Sequence, residues 1–146
     1  MTLLSIDLDH FKAINDQYGH AVGDRVLIHV ACQIGEVLRE SDCVARFGGE
    51  EFIVLLPDTP VARALLVAAR IRESLRADSE HLPAYTVSIG VACQVAPEET
   101  LEGVLARADA ALYRAKANGR DRIELAGAEA AIAVRPGSAA GSGSAR

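Results

Sequence analysis

Two adjacent glycines, Gly48 and Gly49, separate two short apolar segments, 43–45 and 52–56. Two glycines between β-type segments predict a two-residue hairpin turn, because glycine readily adopts the positive φ that such a turn requires. Glu50 and Glu51 follow at the start of the second strand. Neighbouring strand residues point to opposite faces, so only one of these carboxylates can face a given site squarely.

A second acidic strand end lies near the start of the chain, where the apolar segment 2–8 carries Asp7 and is followed by Asp9. An acidic hairpin turn alone is more often a solvated turn. Two acidic strand ends side by side, however, would form the hard, oxygen-lined site that Mg²⁺ prefers. Asp9 could bind metal or act as a helix N-cap, and we prefer the N-cap.

Composition limits the class of protein. A chain of 146 residues, half of them apolar, suits one globular domain. The net charge of −5 argues against a sequence-independent nucleic-acid binder, which needs a basic face. No apolar run is long enough for a membrane span, and segment 2–6 is too short for a signal peptide. Three cysteines without CxxC spacing predict small core residues in a reducing, cytoplasmic compartment: Cys32, Cys43 and Cys93.

Hydrophobic periodicity predicts the element order β-α-α-β-β-α-β-α-β, an α/β (α+β) sandwich with a mixed central sheet and helices on both faces. We expect strands at 2–8, 84–93 (half-covered) and 123–125, besides the hairpin. Asp24, Thr59 and Thr100 are the expected N-caps of the three long helices. Residues 1–126 form the predicted domain, and the Ala/Gly/Ser-rich segment 127–146 is predicted to be a disordered tail.

The segment 48–52, GGEEF, resembles the signature of the GGDEF family, the diguanylate cyclases of bacterial signalling. Three further blocks match in order: 7–24, 87–91 and 108–120. The resemblance covers roughly residues 2–125. It implies a palm-like fold similar to nucleotidyl cyclases. It also implies a homodimeric, Mg²⁺- (or Mn²⁺-) dependent enzyme that condenses two GTP molecules to cyclic di-GMP and two pyrophosphates.

The resemblance also implies roles for the acidic strand ends. The metal would be held by Asp7, the backbone carbonyl of Leu8 and Glu50, with Glu51 assisting. Glu50 is also the family's candidate general base, and Lys12 resembles its transition-state-stabilising lysine. The phosphates would lie over the backbone N–H groups of 11–14, the start of a short helix.

The same resemblance places Asn15, His20 and Asp24 on the substrate. An amide and a carboxylate suit guanine, since the carboxylate can accept from the donor pair that adenine lacks; for Asp24 the N-cap role remains the alternative. Gly48 and Gly49 would let substrate approach the backbone. The predicted phosphate cations are Lys12, Lys116 and Arg120. Lys116 and Arg120 lie four residues apart around a helix end and could reach one spot.

Arg39 and Asp42 form an RxxD sequence whose offset from Gly48 matches the family's product-inhibition site. RxxD alone is normally an exposed helix end, so this assignment depends on the resemblance. Arg39 could fork to guanine or phosphate, and Asp42 could accept from guanine. Arg70, on the next helix, is an additional candidate.

The family's usual first helix, with a DxLTGLxNRR block, does not occur in this sequence, so we expect an N-terminally truncated domain. Two alternatives follow. The chain could be a catalytically inactive module that binds GTP or cyclic di-GMP, or a different palm-like nucleotidyl transferase. Asn15 and Asp24 favour guanine, and a comparison of GTP with ATP binding would separate the substrates.

Overall fold

A five-stranded sheet with four helices makes up the computed structural model, which describes residues 1–77 and 81–127. The predicted order of elements is confirmed. The elements are β1 (Thr2–Leu8), α1 (Phe11–Tyr18), α2 (His20–Val37), β2 (Cys43–Arg46), β3 (Glu51–Leu56), α3 (Val61–Ala77), β4 (Val87–Cys93), α4 (Leu101–Ala117) and β5 (Ile123–Leu125).

The strands lie in the order β2-β3-β1-β4-β5. β1 pairs antiparallel with both β3 and β4, β2 pairs antiparallel with β3, and β5 pairs parallel with β4. The sheet is therefore mixed, as predicted. β1 lies at its centre, so the carboxylates at the end of β1 have a neighbouring strand on each side.

The two faces of the sheet bury different helices. Leu4, Ile6 and Leu8 of β1 point into a large core shared with α1, α2 and α3. Leu3 points the other way, into a smaller core lined by alanines of α4. Both faces of β1 are buried, which explains its nearly continuous apolar sequence. Helices on both faces of the sheet are confirmed.

The half-covered strand predicted at 84–93 is wrong, because α4 covers the face with the small residues and β4 is buried on both sides except at its last residue. A Cβ atom on Gly90 would lie 2.1 Å from the carbonyl oxygen of Ala108. The small residues therefore let the backbone of α4 approach the sheet closely.

Two of the three predicted helix N-caps are wrong. Gly19 precedes α2 with φ 92°, and α2 begins at His20, so Asp24 lies inside the helix. The hydroxyl of Thr59 donates to the carbonyl of Pro57 at 2.7 Å and accepts from Arg39. Thr100 does cap α4, since its Oγ1 accepts from the N–H of Gly103 at 3.0 Å.

The predicted two-residue turn is also wrong. Arg46 pairs with Phe52, so residues 47–50 separate the two strands, and neither Gly48 nor Gly49 has positive φ. The side chain of Arg46 shapes this connection instead. Its Nε donates to the carbonyl oxygens of Gly48 and Gly49, at 3.3 and 3.1 Å.

The cysteines differ from the predicted core residues. Cys32 and Cys43 are exposed and Cys93 is partly buried, and all three are free thiols. Within the described ranges, no helix is both long and apolar enough to cross a membrane. The predicted tail lies outside the described residues apart from Gly127, and the extent of the domain stays a prediction.

Candidate active site

The acidic end of β1 and the start of β3 lie side by side. Asp7 is the register partner of Glu51, and the N–H of Leu8 donates to the carbonyl of Glu50 at 3.3 Å. The antiparallel register of the two central strands thus brings together Asp7, Leu8, Glu50 and Glu51, the four residues predicted to hold metal.

Asp7 is almost fully buried, and its two oxygens have different surroundings. Oδ2 accepts a hydrogen bond from the ammonium of Lys116, in the last turn of α4. Oδ1 is buried and has no hydrogen-bond partner within the part of the chain that the structure describes. A buried carboxylate oxygen without a donor costs free energy, and a cation would satisfy it. This oxygen therefore fits a hard metal ion.

The carboxyl of Glu50 is influenced by the charges of Asp7, Lys116 and Glu51. Burial raises the pKa of its carboxyl, the negative charges of Asp7 and Glu51 raise it further, and Lys116 partly offsets them. Bringing a divalent cation to this cluster would relieve the repulsion. No three Asp, Glu, His or Cys side chains among residues 1–77 and 81–127 are grouped to hold an ion by themselves. The predicted set combines the Asp7 and Glu50 carboxylates with the main-chain carbonyl of Leu8, and Glu51 is predicted only to assist.

Asp9 is not the N-cap of α1. The N-cap is His10, in the left-handed region at φ 58°, and it makes no side-chain capping bond. The buried Asp9 carboxylate accepts from Ser88 Oγ at 2.7 Å, Thr86 Oγ1 at 2.6 Å and the backbone N–H of Asp121 at 3.0 Å. Alternation along β1 could not predict this arrangement, because the strand ends at Leu8, one residue before Asp9.

The predicted guanine-binding residues are close to one another. A Cβ atom on Gly23 would lie 1.9 Å from Oδ1 of Asn15, so the amide of Asn15 packs against the backbone of α2 beside Asp24. Asp24, with Val44, Arg46 and other residues, lines a groove of about 460 Å³ between α2 and the β2–β3 hairpin. His20 is exposed at the first position of α2.

The three predicted phosphate cations have different surroundings. Lys12 is 89% exposed in its side chain and pairs with Asp16 at 3.3 Å. Lys116 pairs with Asp7. Arg120 lies beyond the end of α4, at φ 62°, so the two residues lie on either side of the helix end. That the two cations reach one phosphate group stays a prediction.

Arg39 and Asp42, just beyond the end of α2, form an ion pair. Nη2 and Nε of Arg39 donate to the two carboxylate oxygens of Asp42 at 3.0 and 3.3 Å, and the N–H of Arg39 donates to the same carboxylate at 2.8 Å. The side chain of Asp42 is only 2% exposed. Burial alone would raise the pKa of Asp42, but the hydrogen bonds and charge of Arg39 outweigh it and lower that pKa.

Arg39, Asp42 and Arg70 line one groove of about 880 Å³ between α2 and α3. Its walls are largely apolar, with Val37, Leu66 and other residues between the charged groups. The structure thus brings together the three residues predicted for the product site. Arg63, which the sequence did not single out, lines the same groove.

Comparison with known proteins identifies the family. The model of the family "Diguanylate cyclase, GGDEF domain" matches residues 1–122. Diguanylate cyclase A of Treponema denticola is 46% identical over 129 residues, which cover 86% of this chain and 35% of that protein. Diguanylate cyclase DgcM of Escherichia coli K12 is 48% identical over 123 residues, 84% of this chain and 30% of that protein. The chain thus spans about a third of these curated relatives.

Solved structures give the same result. The active GGEEF domain of a diguanylate cyclase from Vibrio cholerae superimposes with a TM-score of 0.81 at 36% identity, covering 86% of this chain and 82% of that one. The GGDEF domain of DgcB from Caulobacter crescentus, in complex with c-di-GMP, gives 0.80 at 38% identity, with 85% and 76% covered. The chain belongs to the GGDEF domain family of diguanylate cyclases.

Proposed function

We propose that this chain is the catalytic domain of a diguanylate cyclase. It would condense two GTP molecules to cyclic di-GMP and two pyrophosphates, with one GTP bound by each protomer of a homodimer. The observation that carries the proposal is the buried Oδ1 of Asp7, which has no hydrogen-bond partner among residues 1–77 and 81–127, beside the register-paired start of β3. A cation at this position would satisfy the oxygen. A nucleoside triphosphate binds together with Mg²⁺ (or Mn²⁺), so it would bring such a cation to the site.

Asp7, the carbonyl of Leu8 and Glu50 would hold the metal, with Glu51 at the edge of the site. Mg²⁺, when bound, would neutralise phosphate charge and lower the pKa of an attacking hydroxyl. Glu50 is the candidate base, since its carboxylate would lie beside the attacking hydroxyl and could accept its proton.

The chemistry is a pair of phosphoryl transfers. In each, the 3′-hydroxyl oxygen of one GTP bonds to the α-phosphorus of the other, the bond to the β-phosphate breaks, and pyrophosphate leaves. The hydroxyl proton passes to the base. Lys12 and Arg120 would bind the phosphates. Lys116 would balance charge between Asp7 and the triphosphate.

Guanine would lie by Asn15 and Asp24, with His20 and the Gly48–Gly49 backbone nearby. The groove between α2 and the hairpin supports this proposal, because Asp24 lines it. A carboxylate that accepts from guanine favours GTP over ATP, since adenine would leave it unpaired.

The groove lined by Arg39, Asp42 and Arg70 would bind the product and inhibit the enzyme. Arginines at its rim suit phosphates and guanine edges, while the apolar walls suit the flat bases. Arg39 would have to exchange part of its bonding to Asp42 for the ligand.

Formation of pyrophosphate and cyclic di-GMP from GTP tests the proposal. We would assay this chain and the same chain fused to a dimeric coiled coil, with Mg²⁺, with EDTA, and with ATP in place of GTP. Product that needs Mg²⁺ and GTP supports the enzyme, and product only from the fusion shows that dimerisation must be supplied. GTP binding without product from either protein would replace the proposal by a non-catalytic binding module.

A further inference from the structure

The turn after α4 has an unusual backbone. Gly119, Arg120 and Asp121 lie in succession at φ 120°, 62° and 50°. Residues with a side chain seldom adopt positive φ, because the Cβ crowds the backbone. Two such residues in a row persist only where their surroundings hold them, and such held strain is often found at functional sites.

Asp9, which follows β1, anchors the turn after α4 by a hydrogen bond. Its carboxylate accepts from the backbone N–H of Asp121 at 3.0 Å, and from Ser88 and Thr86 at the start of β4. Asp9 is only 3% exposed. Both oxygens of this buried carboxylate accept hydrogen bonds from the protein, so it acts as a structural acceptor.

Arg72 of α3 holds the same residue from the other side. Its Nε donates to Oδ1 of Asp121 at 3.0 Å, and its Nη2 donates to the Asp121 carbonyl at 2.9 Å. The backbone N–H, the backbone carbonyl and the side-chain carboxylate of Asp121 therefore each make a hydrogen bond. The peptide between Arg120 and Asp121 is consequently fixed, and so is the direction in which the Arg120 side chain leaves the backbone.

We propose that Asp9, with Arg72, is a positioning residue that directs Arg120 towards the triphosphate of a nucleotide bound at the end of β1. The inference rests on the proposed function, in which Arg120 binds phosphate. Asp9 lies two residues after Asp7. One strand end thus carries both the candidate metal carboxylate and the anchor of the phosphate cation.

A double-mutant cycle tests the proposal. We would measure, by calorimetry with Mg²⁺, the binding of a GTP analogue with a methylene group between the α- and β-phosphates. The proteins are the parent chain, Asp9→Asn, Arg120→Ala and the double variant. Asn keeps the shape of Asp9 but removes its charge, so we expect about tenfold weaker binding. If Asp9 acts through Arg120, the double variant binds no more weakly than Arg120→Ala alone.

Two controls separate positioning from a general structural role. Glu102→Gln makes the same type of acid-to-amide change at the exposed start of α4, away from Asp9 and the turn, and we expect a change of less than about twofold. Guanosine, which has no phosphates, should bind to Asp9→Asn as it does to the parent. If Asp9→Asn does not fold, Arg72→Gln, which removes the partly buried second contact, replaces it in the same cycle.

Several outcomes would overturn the inference. They are additive losses in the double variant, weaker guanosine binding, or an Arg120→Ala variant that binds the analogue as tightly as the parent. Binding of the analogue does not require turnover. Coupled losses in a chain that makes no cyclic di-GMP would therefore support the positioning role and contradict only the cyclase.

Discussion

Lys116 donates a hydrogen bond to Asp7 and thereby ties the last turn of α4 to the end of the central strand. The lysine side chain is one-third exposed, whereas that of Asp7 is almost fully buried. This pair balances one negative charge in the cluster. Glu50 and Glu51 add two further negative charges, and this excess of negative charge is the basis of the first prediction.

Glu50→Gln should abolish turnover and stabilise the metal-free protein. Removing the candidate base and metal ligand should lower the rate of cyclic di-GMP formation by about 100-fold or more. In EDTA the same change removes a half-buried charge that Asp7 and Glu51 repel, so the melting temperature should rise. Glu102→Gln, at the exposed start of α4, is the control for both measurements. Unchanged turnover would remove Glu50 from the mechanism.

Gly23→Ala should weaken GTP binding without unfolding the protein. The new Cβ would lie 1.9 Å from Oδ1 of Asn15, so the amide must move, and because it is the end of a side chain it can do so. Loss of one hydrogen bond to guanine predicts about three- to tenfold weaker binding. Gly35→Ala in the same helix is the matched control, because nothing lies within 4 Å of its Cβ position. Equal affinities of the two variants would contradict the position assigned to Asn15.

The sequence predicted the order of the elements well, because hydrophobic periodicity reports which faces are buried. It failed where a tertiary contact decides the local structure. Asp24 resembles an N-cap in sequence, yet Gly19 lets α2 start a full turn earlier. Gly48 and Gly49 resemble a tight turn, yet the hydrogen bonds of Arg46 support a wider one.

For the candidate site, the sequence indicated the residues but not the contacts between them. The motif resemblance indicates the individual site residues, and the register of β1 with β3 brings the acidic ones together. The contacts of Asp9 with Asp121 and of Asp7 with Lys116 join residues more than 100 positions apart. No local pattern encodes such contacts.

Arg39→Ala should relieve inhibition by cyclic di-GMP. A charge-assisted hydrogen bond contributes about 1.5–3 kcal/mol, so the inhibitory concentration should rise by about 10- to 100-fold. The initial rate without product should be unchanged, because Arg39 lies in the groove between α2 and α3 and outside the acidic cluster. Arg114→Ala, on α4, is the control. Inhibition at the same concentration in Arg39→Ala would refute the assignment of this groove.

The pairing of Asp42 with Arg39 should stabilise the fold in a pH-dependent manner. Because the pKa of Asp42 is lower in the folded chain than in the unfolded one, this contribution is complete above the unfolded pKa of about 4. It is lost as the pH falls through the folded pKa. Urea unfolding between pH 7 and pH 3 should therefore show a smaller loss of stability on acidification in Asp42→Asn than in the parent. Asp16→Asn is the matched control, since its ion pair with Lys12 is exposed and contributes little. Parallel curves for Asp42→Asn and the parent would show that the pair does not stabilise the fold.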